Sequence, residues 1–321
     1  MWLWMLVPQP GPSTDTSVLA LRMVTPEGAA ASPVWQVEQT KTFEIFSNGL
    51  RVETAYATSN RPRGGFSTFR REEAIEAGAS EESAEIKSEP IGIVFHSTET
   101  HQAPFEPAET RNLKRIGRYL LEFVQQKRAY HYVIDRFGRV FRVVEESDAA
   151  NHAGRSVWAD QKGSYVDLND SFLAVAFEAQ SDGSGSIGPA QLHAARVLTE
   201  MLRAKYGIAA SNCVTHAQVS VNPANWKIGY HTDWARGFPF AEIGLPDNYR
   251  QPLGSIVDFG FDYDDSFLNA AGDRRWPGLL ASTDIVRERS RAAKVSVADY
   301  QRRLQKRFEK VSASMRDRGE E

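Results

Sequence analysis

The sequence predicts an α/β fold: a mixed central β-sheet flanked by helices, with an N-terminal β-hairpin extension and a C-terminal amphipathic helix. Two continuous apolar runs of strand length, Ile91 to Phe95 and Phe172 to Phe177, carry the first part of that expectation. Between and after them, apolar residues recur at helical spacing, and histidines stand at the ends of apolar runs rather than inside them.

With 321 residues and 41% hydrophobic content, the chain has room for one large domain, or for an ordinary domain with attached segments. A formal net charge of −3 and the lack of any nucleic-acid motif argue against a partner made of nucleic acid. The single cysteine, Cys213, excludes an intrachain disulfide framework and a cysteine-based zinc cluster, so a metal would have to use His and carboxylate ligands. The apolar start Met1 to Val7 is stopped by Pro8, lacks a basic leader and is too short to span a bilayer. No transmembrane segment is expected, and the weak cleavage-like run Ala29-Ala30-Ala31-Ser32 leaves export open.

In chain order, residues 1 to 33 mix Pro, Gly, Ser and Thr and read as a poorly ordered lead-in. Over residues 34 to 60, Phe43, Ile45, Leu50, Val52 and Thr54 alternate around Ser47-Asn48-Gly49, a hairpin signal that predicts an extension in front of the main domain. Residues 61 to 89, rich in Arg, Glu, Ser and Ala, read as an exposed, mobile linker with a short helix over Glu72 to Ala77.

The main domain is expected over residues 90 to 245. After the first buried strand, Leu113, Ile116, Leu120, Leu121 and Val124 predict a helix over Glu106 to Gln126. Tyr130 to Asp135 and Val140 to Val144 predict two strands joined at Arg136-Phe137-Gly138-Arg139, with Gly138 supplying a positive φ. A further helix over Pro189 to Tyr206 is stopped by Gly207. His96, Tyr130, Glu178 and His216 thereby fall at strand ends or adjoining loops, where α/β proteins commonly place their sites. Residues 246 to 321 form a C-terminal extension, first aromatic and acidic through Phe259, Phe261, Tyr263 and Phe267, with irregular packing expected. Residues 283 to 316 then intersperse Ile285, Val295, Val297, Tyr300, Leu304, Phe308 and Val311 among charges; this amphipathic helix should dock on the chain itself or self-associate with a second copy.

An imidazole at the end of a buried strand is held rigidly and offers one nitrogen to a metal while the other is oriented by a neighbour. His96 follows Val94-Phe95, and His216 follows Val214-Thr215. One such histidine is more often structural. Two, with the carboxylate of His231-Thr232-Asp233 downstream, shift the expectation to a site with three protein ligands and one open position.

Taken in order, Val94-Phe95-His96-Ser97-Thr98, Tyr130 to Gly138, Asn151-His152-Ala153-Gly154, Val175-Ala176-Phe177-Glu178, Val214-Thr215-His216 and His231-Thr232-Asp233 resemble the N-acetylmuramoyl-L-alanine amidase family. These type-2 amidases include phage lysozyme-type amidases and peptidoglycan recognition proteins. The resemblance implies Zn2+ held by His96, His216 and Asp233, with water completing a tetrahedral shell. Two departures stand out: Asp233 follows His216 by 17 positions, longer than usual, and Trp234 stands where Pro is common. His231 therefore stays open as a rival third ligand.

Among the catalytic positions, Glu178 matches the acidic residue of one branch and is expected to shuttle the proton, and Tyr130 matches the tyrosine of the phage and recognition-protein branch. His231 stands where many relatives carry Lys and is expected to donate to the oxyanion, fully only below about pH 6.5. His152 resembles the substrate-contacting histidine of the groove, and Gly154 would let backbone approach the ligand. The resemblance implies a zinc-dependent amidase that cleaves between the lactyl group of N-acetylmuramic acid and L-alanine in bacterial peptidoglycan or muropeptides. Such a substrate favours the cell envelope or periplasm, with a cytoplasmic enzyme as the alternative because no signal peptide is clear. A non-catalytic peptidoglycan-binding module and a zinc hydrolase of other N-acyl amino acids are the rival readings.

Overall fold

A computed structural model describes residues 33–76, 78, 80–181 and 187–319. Of the lead-in expected over residues 1–33, residues 1–32 lie outside the described residues. The chain then forms β1 (Gln36–Gln39), β2 (Phe43–Phe46) and β3 (Arg51–Glu53), an antiparallel run whose second turn places Gly49 at φ +84°. Next come β4 (Phe66–Phe69), α1 (Glu72–Glu76), β5 (Glu82–Lys87), β6 (Gly92–Ser97) and α2 (Thr110–Lys127). Strands β7 (Tyr132–Ile134), β8 (Val140–Arg142), β9 (Val157–Ala159), β10 (Ser164–Val166) and β11 (Phe172–Phe177) follow. After them stand α3 (Pro189–Tyr206), β12 (Cys213–Thr215), α4 (His216–Val219) and a small hairpin of β13 (Val221–Asn222) with β14 (Lys227–Ile228). The C-terminal part is helical: α5 (Gly254–Val257), α6 (Asp265–Ala270), α7 (Pro277–Ala292) and α8 (Val297–Gly319).

Eight strands form the central sheet in the order β1-β2-β3-β8-β7-β11-β6-β12. The three steps from β7 to β12 are parallel and the other side is mixed. Every residue of β6 and β11 is buried, which is why both read as unbroken apolar runs: helices or loops cover both faces. Strand alternation then sorts side chains between layers. Ile93, Phe95, Val175 and Phe177 pack with Leu198 and Leu202 of α3, whereas Ala176 packs with Leu120, Leu121 and Val124 of α2. Ala176 is the register partner of His96, so His96 projects on the α2 side.

The mixed sheet and its helical layers agree with the sequence expectation. So does α3, which ends at Gly207 in the left-handed region at φ +64°. Gly138 takes φ +78° in the β7–β8 turn, and an added Cβ would lie 2.6 Å from the Ala190 carbonyl oxygen, so this turn also abuts α3.

Three expectations need correction. The N-terminal hairpin does not stand in front of the sheet but continues it, because β3 pairs in parallel with β8. Residues 61–89 are not a bare linker: β4 and β5 join β10 and β9 in a second sheet ordered β5-β4-β10-β9. The single helix expected over 283–316 is two, broken where Lys294 adopts φ +55° and Ser296 accepts from the Asp299 N–H at the start of α8. Its apolar stripe is used within the chain: Tyr300, Leu304, Phe308 and Val311 are buried with Phe259, Phe261 and Trp158.

Candidate metal centre

His96 is the fifth residue of β6 and 1% exposed. His216 opens α4 directly after β12, the strand paired with β6, so the parallel sheet sets the two imidazoles side by side with ring centroids 4.4 Å apart. Asp233 arrives from the loop after β14. Its Oδ2 lies 3.2 Å from His96 Nδ1 and its Oδ1 2.8 Å from His216 Nδ1. One ligand atom from each of His96, His216 and Asp233 lies within 4.8 Å of the others, an arrangement that can hold a metal ion. His231 is not in that set. It is exposed, and its ring stacks on His216 at 4.7 Å and 18°.

Electrostatics favour ligation. Burial, then the neighbouring His216, lowers the His96 pKa to about 4, so its lone pair is free near neutrality. Burial works to raise the Asp233 carboxyl, but the charge of His216 and the hydrogen bonds from His216 and His96 outweigh it and hold the group well below the usual carboxylate range. Burial followed by His216 also lowers His231.

Around this group, His152 sets its Nδ1 3.1 Å from Nε2 of His96. If Nδ1 of His96 is the ligating atom, Nε2 carries the proton and donates to His152. Asn169 fixes the loop that supplies His152, its Oδ1 accepting from the N–H groups of His152 and Ala153 at 3.2 and 2.8 Å. The sequence reading did not single out Asn169, although an Asn-Asp pair before a buried strand is a turn signal. Gly154 sits at φ +52° with nothing within 4 Å of an added Cβ, so its surroundings are open to a ligand.

Tyr130 lies on the other side of His96, with ring centroids 5.0 Å apart, and takes a left-handed φ of +62°. Burial, and next the charges of Asp233 and Glu99, raise its hydroxyl pKa, which keeps it protonated. Glu178 stands apart. Its carboxylate accepts from the Arg136 N–H at 3.2 Å and packs beside Gly117 of α2, and its strongest charged neighbours are Asp135, Arg136 and Arg139. Burial raises its pKa to about 7. The β11 residue level with His96 is Ala176, so a methyl group occupies that position. His131 is fully buried and structural, its Nδ1 accepting from the Ala174 N–H and its Nε2 facing the Asp148 carbonyl; His101 and His193 are exposed.

No curated protein matches the chain. Among solved structures, the N-acetylmuramoyl-L-alanine amidase LysC of Clostridium intestinale URNW is similar at 20% identity, over 48% of this chain and 82% of that one, with a TM-score of 0.31. The amidase AmiD of E. coli, solved with anhydro-N-acetylmuramic acid-L-Ala-D-gamma-Glu-L-Lys, is similar at 22% identity over 44% and 52%, with a TM-score of 0.33. The Pseudomonas aeruginosa protein AmpDh3 gives 17% identity over 64% and 93%, with a TM-score of 0.41. Residues 87–233 match the model of the family described as N-acetylmuramoyl-L-alanine amidase, and that segment ends on Asp233. This segment, just under half of the chain, is the part that the protein shares with the N-acetylmuramoyl-L-alanine amidase family.

Proposed function

We propose that the protein is a zinc-dependent N-acetylmuramoyl-L-alanine amidase, hydrolysing the amide between the lactyl group of N-acetylmuramic acid and L-alanine in peptidoglycan or muropeptides. The observation that carries this reading is the convergence of His96 Nδ1, His216 Nδ1 and the Asp233 carboxylate inside the family segment. Two imidazoles and one carboxylate form a zinc donor set with a fourth position left open. When bound, zinc supplies a Lewis acid for the amide carbonyl and a water acidified to a pKa of about 7.

The residues around it divide the remaining work. Tyr130, protonated beside His96, donates to the oxygen that becomes negative. His231, at the exposed rim above His216, donates from the opposite side through its neutral N–H. Glu178, with a pKa of about 7, exchanges protons near neutrality, but it stands apart beside Arg136 and Gly117, so a proton it passes toward the departing alanine nitrogen must travel through water. His152 and the open backbone at Gly154 line the substrate side. This reading places the protein with its substrate in the cell envelope or periplasm, which fractionation of native cells checks.

The test is mass spectrometry of peptidoglycan and soluble muropeptides digested with the zinc-loaded protein, beside simple N-acyl alanines. Release of intact stem peptides beginning with L-alanine is expected from the first two. Binding without release would identify a recognition module instead, and faster cleavage of the simple amides would identify a different amide hydrolase.

A further inference from the structure

The loop that presents Asp233 is clamped from outside the family segment. Three consecutive carbonyls are each held: the Asp233 carbonyl accepts from the Ala217 N–H at 3.2 Å, the Trp234 carbonyl from the Tyr249 hydroxyl at 2.6 Å, and the Ala235 carbonyl from the Trp276 indole N–H at 2.9 Å. The first bond ties Asp233 to the residue after His216. The other two come from the C-terminal extension. Between them, Trp234 is held at φ +59°, a strained conformation that a bulky L-residue keeps only where its surroundings enforce it.

Both donors are themselves fixed. Tyr249 and Trp276 pack at a 33° tilt with centroids 4.8 Å apart, Trp276 meets Phe267 edge-on at 5.1 Å, and Trp276 immediately precedes α7. Gly278, two residues on, lies so close to the Gln251 carbonyl oxygen that an added Cβ would stand 2.0 Å from it, so α7 begins pressed against the segment that carries Tyr249.

We infer that the C-terminal extension positions the third ligand: Tyr249 and Trp276 hold the strained backbone after Asp233 so that its carboxylate faces His96 and His216 before any metal arrives. The ligand part of this inference rests on the metal reading above. The backbone part does not. A ligand loop fixed in advance loses little freedom on binding, and loss of such support typically lowers metal affinity by about 10–100-fold.

The experiment compares the full chain with Trp276→Phe, Tyr249→Phe and the double variant, substitutions that keep each ring and remove only the donor. Hydrogen exchange of the metal-free proteins is followed by mass spectrometry, and Zn2+ affinity is measured by chelator competition. Accelerated exchange is expected in the peptide containing Asp233 to Arg236, with unchanged exchange in β6 and β11. Zinc affinity should fall about tenfold in each single variant and further in the double. Unchanged exchange in that peptide overturns the inference, as does a folded double variant that binds zinc within twofold of the unaltered chain. Accelerated exchange in a chain that binds no zinc in any form would sustain the clamp and remove the metal reading. If the double variant fails to fold, Trp276→Phe alone decides by the same two criteria.

Discussion

With a metal bound, His152 would fix which nitrogen of His96 carries the proton. Its Nδ1 is an acceptor only when its own proton is on Nε2, and a neutral imidazole in that form accepts the His96 Nε2–H and leaves Nδ1 bare toward Asp233. His152→Phe keeps the ring shape without the acceptor and should weaken zinc binding by about 10–100-fold, while His152→Asn, whose side-chain oxygen accepts, should recover most of it. Chelator competition on both variants reads this directly, and equal affinity across all three proteins would show that His152 orients nothing. Glu178 makes a different prediction. Its pKa of about 7 exceeds the ordinary 4.5, so folding favours its protonated form; that stabilisation is complete below about pH 4.5 and is lost as the pH rises through about 7. Glu178→Gln, neutral throughout, should therefore gain in Tm relative to the unaltered chain between about pH 5 and pH 8, and should lose about 10²–10⁴ in kcat if Glu178 moves the proton. An unaltered rate would assign the side chain to its bond with the Arg136 N–H alone.

Among elements, α8 offers the sharpest test of packing. Phe308 is buried against Phe259, Phe261 and Trp226 with centroids between 5.0 and 5.9 Å, so Phe308→Ala should destabilise the protein by about 3–5 kcal/mol in denaturant unfolding. A loss under about 1 kcal/mol would mean that the helix packs loosely. That helix was legible because its apolar residues repeat at helical spacing. Strands β6 and β11 and the cap at Gly207 were legible for equally local reasons: continuous apolar residues where both faces are covered, and a glycine where a helix must end. Strands β4 and β5 were not. They lie among charged and polar residues, and Ile86 is 71% exposed, so no periodicity marked a core face. The short β9 and β10 were invisible because three residues each give no measurable alternation; their partners, not their sequence, define them. The site divides in the same way. Histidines at the ends of apolar strands announced themselves, whereas the clamp on Asp233 depends on Tyr249 and Trp276, whose roles arise only from long-range contact.

At the scale of the whole molecule, the parallel strands β12, β6 and β11 form a rigid floor, α2 and α3 cover its faces, and the C-terminal helices close over the second sheet and reach back to the Asp233 loop. The extension is thus part of the same hydrophobic core as Phe69, Trp158 and Phe172 rather than an appendage. No helix among the described residues is long and apolar enough to cross a membrane. Every mechanistic role proposed above depends on one metal that His96, His216 and Asp233 would hold jointly. The most direct measurement is elemental analysis of the purified, zinc-equilibrated chain beside His96→Ala, His216→Ala and Asp233→Ala, each checked for folding by circular dichroism. One equivalent of zinc in the unaltered protein and almost none in the folded variants is the predicted result; full zinc in any folded variant, or none in the unaltered protein, would contradict it.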